Sequence, residues 1–197
     1  TNSTVTHNWV HDSPKYGIRF DGQPPAIGTH GTMKYNVAFR LDAGGLQPKG
    51  DYHEADHNLA FDTMDGTVRQ FPSCSLCLWK YVRQNPGETN AHSVATNNLA
   101  DTAHGGRKFN FDTGKLILPE QVYPLHGAII KNNQVTPDLK YLLHDPDNSD
   151  FRIRQKFADW MGDIGPYPYQ EKMTEYWIPG RILYKTSSLV PPTHSAT

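Results

Sequence analysis

The chain has 197 residues, enough for one domain with a hydrophobic core, and its 19 Lys and Arg against 20 Asp and Glu give a net charge of −1. This balance argues against nucleic acid as a partner, because binding a phosphate backbone requires a basic excess. No apolar run approaches the ~18 residues of a membrane-spanning helix. Histidine is unusually frequent, with 10 residues. Because imidazole has a pKa of about 6.5 in short peptides, mild acidification should make the chain cationic.

The first residues favour a secreted, extracellular protein. The chain begins at Thr1 without an initiator Met or an apolar signal region, as expected of a processed product. Asn2 opens the only Asn-x-Ser/Thr triplet of the sequence and is the predicted glycosylation site.

A short phrase recurs along the chain: a polar or aromatic residue, then Asn, then a mostly apolar pair. Its asparagines are Asn8, Asn36, Asn58, Asn98 and Asn133, at spacings of 28, 22, 40 and 35 residues. The shortest spacing matches about one coil of a β-solenoid, and the longer ones add a surface loop. Asn tolerates the left-handed conformation of a sharp corner, and stacked Asn side chains can form a hydrogen-bonded ladder. We expect both apolar residues after each Asn to point into the core.

Short alternating segments that follow a glycine are predicted to be strands. They cover residues 17–20, 66–71 and 127–130, and Gly44-Gly45 precede Leu46 in the same way. Helical periodicity is nearly absent, and residues 151–161 are the best candidate for a helix. We predict β-helix coils with loop insertions over residues 1–137, followed by a proline-rich cap over residues 138–197 that covers the last coil. A β-sandwich with Asn-rich turns is the alternative.

Cys74 and Cys77 are the only two cysteines. A zinc site built from four cysteines is therefore impossible within one chain, and no βαβ pattern surrounds the pair as in a redox motif. The spacing favours a local disulfide that closes a loop, and zinc bound with nearby histidines is the alternative.

The segment from His7 to Ile18, HNWVHDSPKYGI, resembles the coil phrase of secreted right-handed parallel β-helix repeat proteins, a group with pectate-lyase-like and alginate- or chondroitin-lyase-like members. The segment from Asp163 to Tyr167, after residues 150–152, is similar to the C-terminal end of such chains. The likeness covers about residues 7–185 and implies an all-β, right-handed parallel β-helix of about five coils. Because these relatives usually have more coils and an N-terminal helix, the chain resembles the C-terminal part of a longer β-helix. Its first coil would then meet a missing N-terminal segment, a second copy or a covering loop.

For an enzyme, the resemblance implies a Lys, Arg, His or Tyr base and carboxylates that hold calcium. The catalytic candidates are Lys49, His53 and Arg69, and the calcium candidates are Asp12, Asp62 and Asp101. Calcium needs roughly 6–8 oxygen ligands, so these carboxylates form a site only if their coils are in register. Solvated corner residues are the alternative interpretation, and no cofactor other than calcium is predicted.

The histidines allow two interpretations. His7 and His57 stand at the same place before a repeat Asn, where they can stack in one hydrogen-bonded corner column with Tyr35, Asn97 and Asn132. Alternatively, His7, His11, His53 and His57 form a titratable surface that binds polyanions or mineral when protonated.

The leading functional hypothesis is a non-catalytic extracellular scaffold that self-associates and contacts matrix polysaccharide or mineral through a His-rich surface. The alternative is an enzyme acting on acidic polysaccharide, with a polysaccharide lyase favoured over a glycoside hydrolase. A carbohydrate-binding module is a third hypothesis.

Overall fold

Short parallel strands dominate the fold, seen here in a computed structural model. The structure describes residues 2–20, 28–63, 74–77, 90–103, 108–110, 115–117, 128–167, 175–176 and 184–185. The predicted strand over residues 66–71 and the candidate Arg69 lie outside these ranges. Among the described residues, no helix has both the length and the apolar character needed to cross a membrane.

Two five-stranded parallel sheets form most of the described fold. The first sheet has the order β1 (Thr4–Thr6), β4 (Thr32–Lys34), β7 (Glu54–Asp56), β9 (Val94–Thr96) and β13 (Ile129–Lys131). The second sheet has the order β2 (Trp9–Ser13), β5 (Val37–Leu41), β8 (Leu59–Thr63), β10 (Leu99–Ala100) and β14 (Gln134–Val135). The prediction of an all-β fold is therefore confirmed, and a sandwich of antiparallel strands would not pair in this way.

A third set of parallel contacts follows the second sheet along the chain. Strands β3 (Ile18–Phe20) and β6 (Leu46–Pro48) pair in parallel, and isolated parallel bridges continue from Leu46 to Leu76 and from Leu76 to Ala103. The chain thus visits the first sheet, the second sheet and the third set in turn before it returns to the first.

The five repeat asparagines form a continuous ladder, as predicted. Asn36 donates from both its backbone N and its Nδ2 to Oδ1 of Asn58, at 3.0 Å each, and Asn58 does the same to Asn98 at 3.0 and 2.9 Å. Asn8 donates likewise to Asn36, and Asn98 donates to Asn133. The ladder fixes the register of the corner between the first and second sheets.

The left-handed corner residue is the one before each Asn, and the prediction that Asn itself adopts this conformation is wrong. Positive φ angles between 51° and 55° occur at His7, Tyr35, His57, Asn97 and Asn132. The corner turns at this residue, which leaves the following Asn free to project its amide into the ladder.

Successive side chains on a strand point to opposite faces, so only one residue of each apolar pair enters the inner core. The expectation that both would do so is wrong. The inner cluster contains the second residues of three pairs, Ala38, Ala60 and Ala100. Its other members come from all three parallel sets: Ile18, Met33, Leu41, Leu46, Ala55, Leu76 and Ala95. The first residues of these pairs, Val37, Leu59 and Leu99, instead lie in an outer cluster on the other face of the second sheet.

The described C-terminal residues cover that outer face, whereas the sequence predicted a cap over the last coil. Leu139, Leu143, Phe151 and Met161 are buried there against the second sheet. This segment contains α1 (Leu139–Leu142), the antiparallel pair β15 (Leu143–Asp145) and β16 (Asp150–Ile153), and α2 (Ala158–Met161).

The helix predicted over residues 151–161 is therefore mostly wrong. Residues 150–153 form β16, a 3-10 turn covers Gln155–Phe157, and only Ala158–Met161 are α-helical. Apolar spacing at three and four residues here reflects two successive short turns. Two further antiparallel pairs complete the described strands: β11 (Lys108–Asn110) with β12 (Lys115–Ile117), and β17 (Glu175–Tyr176) with β18 (Tyr184–Lys185).

Candidate functional site

Two columns of stacked rings border the strands of the first sheet. The first ring column is His7, Tyr35 and His57, with ring centroids 5.0 and 5.2 Å apart. The second ring column is His30, Tyr52 and His92, at 5.0 and 4.9 Å. All six residues have positive φ, because each occupies a corner at one end of a first-sheet strand. Parallel pairing in register sets the spacing of the corners, which brings the rings into contact.

The second ring column is exposed to solvent throughout. His30 and His92 are exposed, and Tyr52 is 49% exposed. In the first ring column His7 is exposed, Tyr35 is half-buried and His57 is buried. The predicted stack of His7, Tyr35 and His57 is thus confirmed.

Sequence reasoning missed His30 and His92. A signal existed, because each of these residues stands two positions before a strand of the first sheet, as Tyr52 does before β7. No Asn follows His30, Tyr52 or His92, so a search for the repeated asparagine does not find these positions.

His57 lies between two carboxylates. Its Nδ1 is 2.9 Å from Oδ2 of Asp56, and its Nε2 is 3.1 Å from Oδ2 of Asp163. Burial opposes protonation, but the contacts with Asp56 and Asp163 outweigh it and raise the pKa of His57. This histidine therefore links the first ring column to the C-terminal segment.

His53 is a structural histidine. It is 2% exposed, accepts a hydrogen bond at Nδ1 from the Gly31 N–H at 2.8 Å, and donates from Nε2 to the Lys49 carbonyl at 3.1 Å. Burial lowers the pKa of His53, which keeps the ring neutral. A Cβ at position 31 would stand 2.5 Å from the Phe20 ring, so only glycine allows this close approach. Lys49, at 9% exposure, is also buried.

The carboxylates predicted to hold calcium contact protein groups. Asp12 accepts from Arg40 Nε at 2.6 Å and lies 2.6 Å from Nδ1 of His11, which stacks on Phe39. The hydrogen bonds from Arg40 and His11 hold the pKa of Asp12 well below its usual range.

The other two carboxylates, Asp62 and Asp101, lie together beside a cleft of about 550 Å³. Asp101 accepts from the Asp62 N–H at 2.8 Å and from the Ser75 hydroxyl at 2.5 Å. Lys140 donates to Asp62 at 3.3 Å. Within the described ranges, no three His, Cys, Asp or Glu side chains are grouped as a metal ion would require.

Two predicted modification positions lie in described segments. Cys74 and Cys77 are joined by a disulfide, with their Cα atoms 5.3 Å apart. Asn2 is exposed.

Comparison of the chain with protein-family models, with curated proteins and with solved structures gave no match.

Proposed function

We propose that the three parallel sets are the faces of a right-handed parallel β-helix, of the type that the coil phrase resembles. Three observations support this arrangement. The chain visits the three sets in a fixed order, the inner cluster takes residues from all of them, and crossovers between parallel strands are almost always right-handed. Columns of positive-φ residues mark three corners, one at the ladder, one at Asp12, Arg40 and Asp62, and one at the second ring column.

On this fold we propose a non-catalytic extracellular scaffold that binds anionic matrix polysaccharide or mineral through its ring columns. The second ring column carries the proposal, because it presents two exposed histidines in a rigid stack with a tyrosine. Protonated imidazoles at fixed spacing are suited to a polymer with regularly repeated negative charge. The disulfide between Cys74 and Cys77 supports an extracellular setting, because disulfides persist in oxidising compartments.

The test is the pH dependence of binding to polygalacturonate. Affinity should increase between pH 8 and pH 5.5, by roughly fivefold for each imidazole that becomes charged, since a cation near an anionic surface gains on the order of 1 kcal/mol. The double variant His30→Asn/His92→Asn should lose most of this increase. Asn suits these positions because Asn97 and Asn132 have the same backbone conformation in the corresponding column.

His144→Asn is the matched control, because His144 is 61% exposed and lies outside both ring columns. It should retain the pH dependence of the unmodified protein. Equal affinity of the unmodified protein at pH 8 and pH 5.5 would reject the ring columns as a binding surface.

Self-association is the second part of the proposal. At the edge of the first sheet Ile129 is 54% exposed and Ile130 is 37% exposed, and Val135 in the neighbouring strand β14 is 40% exposed. An exposed, apolar edge strand favours pairing with another chain. The partner proposed for this edge is a second copy of the chain.

A polysaccharide lyase is the second candidate function, and the cleft beside Asp62 favours it. The cleft combines carboxylates with Lys140 and Tyr141, two residue types that serve as a base in β-elimination. In this alternative Lys140 and Tyr141 take the roles that the sequence assigned to Lys49 and His53. A lyase would generate unsaturated uronate ends, whereas a scaffold would not.

A further inference from the structure

An aromatic platform stands on the C-terminal segment and shares no residue with either ring column. It consists of Tyr141 from α1, Phe157 from the 3-10 turn and Trp160 from α2. The ring centroids of Tyr141 and Phe157 are 5.4 Å apart, and those of Phe157 and Trp160 are 6.3 Å apart. Tyr141 is 57% exposed and Trp160 is 58% exposed. Single exposed aromatics are common on proteins, but three in contact form a patch of the kind that marks a binding site.

The platform is held in place from below. Phe157 is partly buried and packs against the outer cluster, and Leu142 and Met161, which flank the platform on α1 and α2, are buried in that cluster. Rings fixed by a packed core lose little conformational entropy when a ligand binds to them.

Two cations lie over these rings. Lys156 Nζ is 3.9 Å from the centroid of Tyr141 and 4.8 Å from that of Phe157, and it donates to the Tyr141 hydroxyl at 2.6 Å. The Arg154 guanidinium lies 5.7 Å from the centroid of Tyr141. Asp159, three residues after Lys156, is the acidic residue in the first turn of α2.

We propose that this platform binds the sugar rings of an acidic polysaccharide, with Lys156 and Arg154 pairing with uronate carboxylates. A pyranose has an apolar C–H face that packs on an aromatic ring and a polar edge that accepts hydrogen bonds. The rings of the platform supply the first contact and the two cations supply the second. A lipid surface or an apolar peptide would leave these cations without a counter-charge. The inference does not depend on the ring columns, since no platform residue belongs to them.

The experiment is calorimetric titration at pH 8 with hexagalacturonate, with cellohexaose as a neutral sugar of equal length, and with polyglutamate as an anion without sugar rings. Hexagalacturonate should bind most tightly. Trp160→Ala should weaken this binding by roughly tenfold, and Lys156→Gln by several-fold. Asn148→Ala, which removes an exposed side chain outside the platform, the ring columns and the sheet edge, should leave the affinity unchanged.

Trp160→Phe keeps an aromatic face and should stay within about threefold of the original affinity, which guards against a folding defect in the alanine variant. Equal binding of polyglutamate, no binding of hexagalacturonate, or full affinity in a folded Trp160→Ala protein would each overturn the inference. His30→Asn/His92→Asn should not affect binding at pH 8, so failure of the platform and failure of the ring columns are separable outcomes.

Discussion

At the scale of single residues, the ladder shows why asparagine is required at each corner. Asn58 has no exposed surface, yet both Nδ2 protons have acceptors, the Met33 carbonyl at 2.9 Å and Asn98 Oδ1 at 2.9 Å. Its Oδ1 accepts from the backbone N and the Nδ2 of Asn36. Aspartate would offer no donors, and glutamine would place its amide one methylene too far.

Replacement of Asn58 by alanine should therefore be strongly destabilising. The change leaves Asn36 without its acceptor and the Met33 carbonyl without its donor, and each unsatisfied buried group costs about 1–3 kcal/mol. Urea unfolding should show a loss of at least about 2 kcal/mol. Asn148→Ala removes an exposed amide that donates to Asp145, and it should change stability by less than about 0.5 kcal/mol. Equal effects of the two variants would contradict a stabilising role for the ladder.

At the scale of elements, three of the polar contacts that attach the C-terminal segment to the parallel sheets lie near its end, between residues 163 and 167. The Trp9 indole donates to the Tyr167 hydroxyl at 2.8 Å, and the Gly165 N–H donates to the Asn97 carbonyl at 2.8 Å. The third is the contact between His57 and Asp163. These contacts lie at the margin of the outer cluster, so they orient a segment whose stability comes mainly from apolar burial.

The contact between His57 and Asp163 makes the free energy of unfolding depend on pH. Because the pKa of His57 is raised in the folded protein, its contribution is fully present below the unfolded pKa of about 6.5 and is lost as the pH rises through the folded pKa. His57→Asn should thus cost more unfolding free energy at pH 5.5 than at pH 8.5, as measured by urea unfolding at both values.

Tyr35→Asn is the matched control for this prediction. It changes the neighbouring ring of the same column at the same backbone conformation, and tyrosine does not titrate between pH 5.5 and 8.5 in short peptides. Its cost should change less with pH than the cost of His57→Asn. A His57→Asn cost that is independent of pH would show that the two carboxylates do not stabilise the imidazolium.

At the scale of the whole molecule, the scaffold and lyase proposals differ in what the protein does to a polymer. The ring columns are repetitive and open, whereas the carboxylate cleft is a single local feature. A repetitive surface is suited to many weak contacts along a polymer, and its affinity multiplies when several copies assemble.

We therefore expect assembly without turnover. Light scattering should rise with protein concentration, while incubation with polygalacturonate, alginate or chondroitin in the presence of calcium should produce no ultraviolet absorbance from unsaturated ends. Ile130→Lys should suppress assembly, because an inward-pointing charge blocks pairing at a sheet edge. Trp160→Ala, which removes an exposed aromatic elsewhere, should assemble normally. Turnover that is lost in Lys140→Ala would replace the scaffold proposal with the lyase.

The sequence predicts the asparagine ladder because that contact repeats a single residue type at one structural position. It does not predict that the residue before each Asn adopts a positive φ, since His, Tyr and Asn all occur at that position. The burial of His53 was also missed, because it depends on the close approach of Gly31 and Phe20, which lie far away along the chain. Periodicity failed at residues 151–161 for a related reason: contact with the second sheet favours a strand at Phe151 despite the helical spacing.

The ladder keeps the strands in register whatever the number of residues between successive asparagines. Asn36 and Asn58 are 22 residues apart and Asn58 and Asn98 are 40 apart, yet both pairs make the same two hydrogen bonds. The excursion between β8 and β9 can therefore lengthen or shorten without shifting the strands on either side. A change of length in this stretch that keeps the contacts of Leu76 and Ser93 should therefore leave the ladder in place.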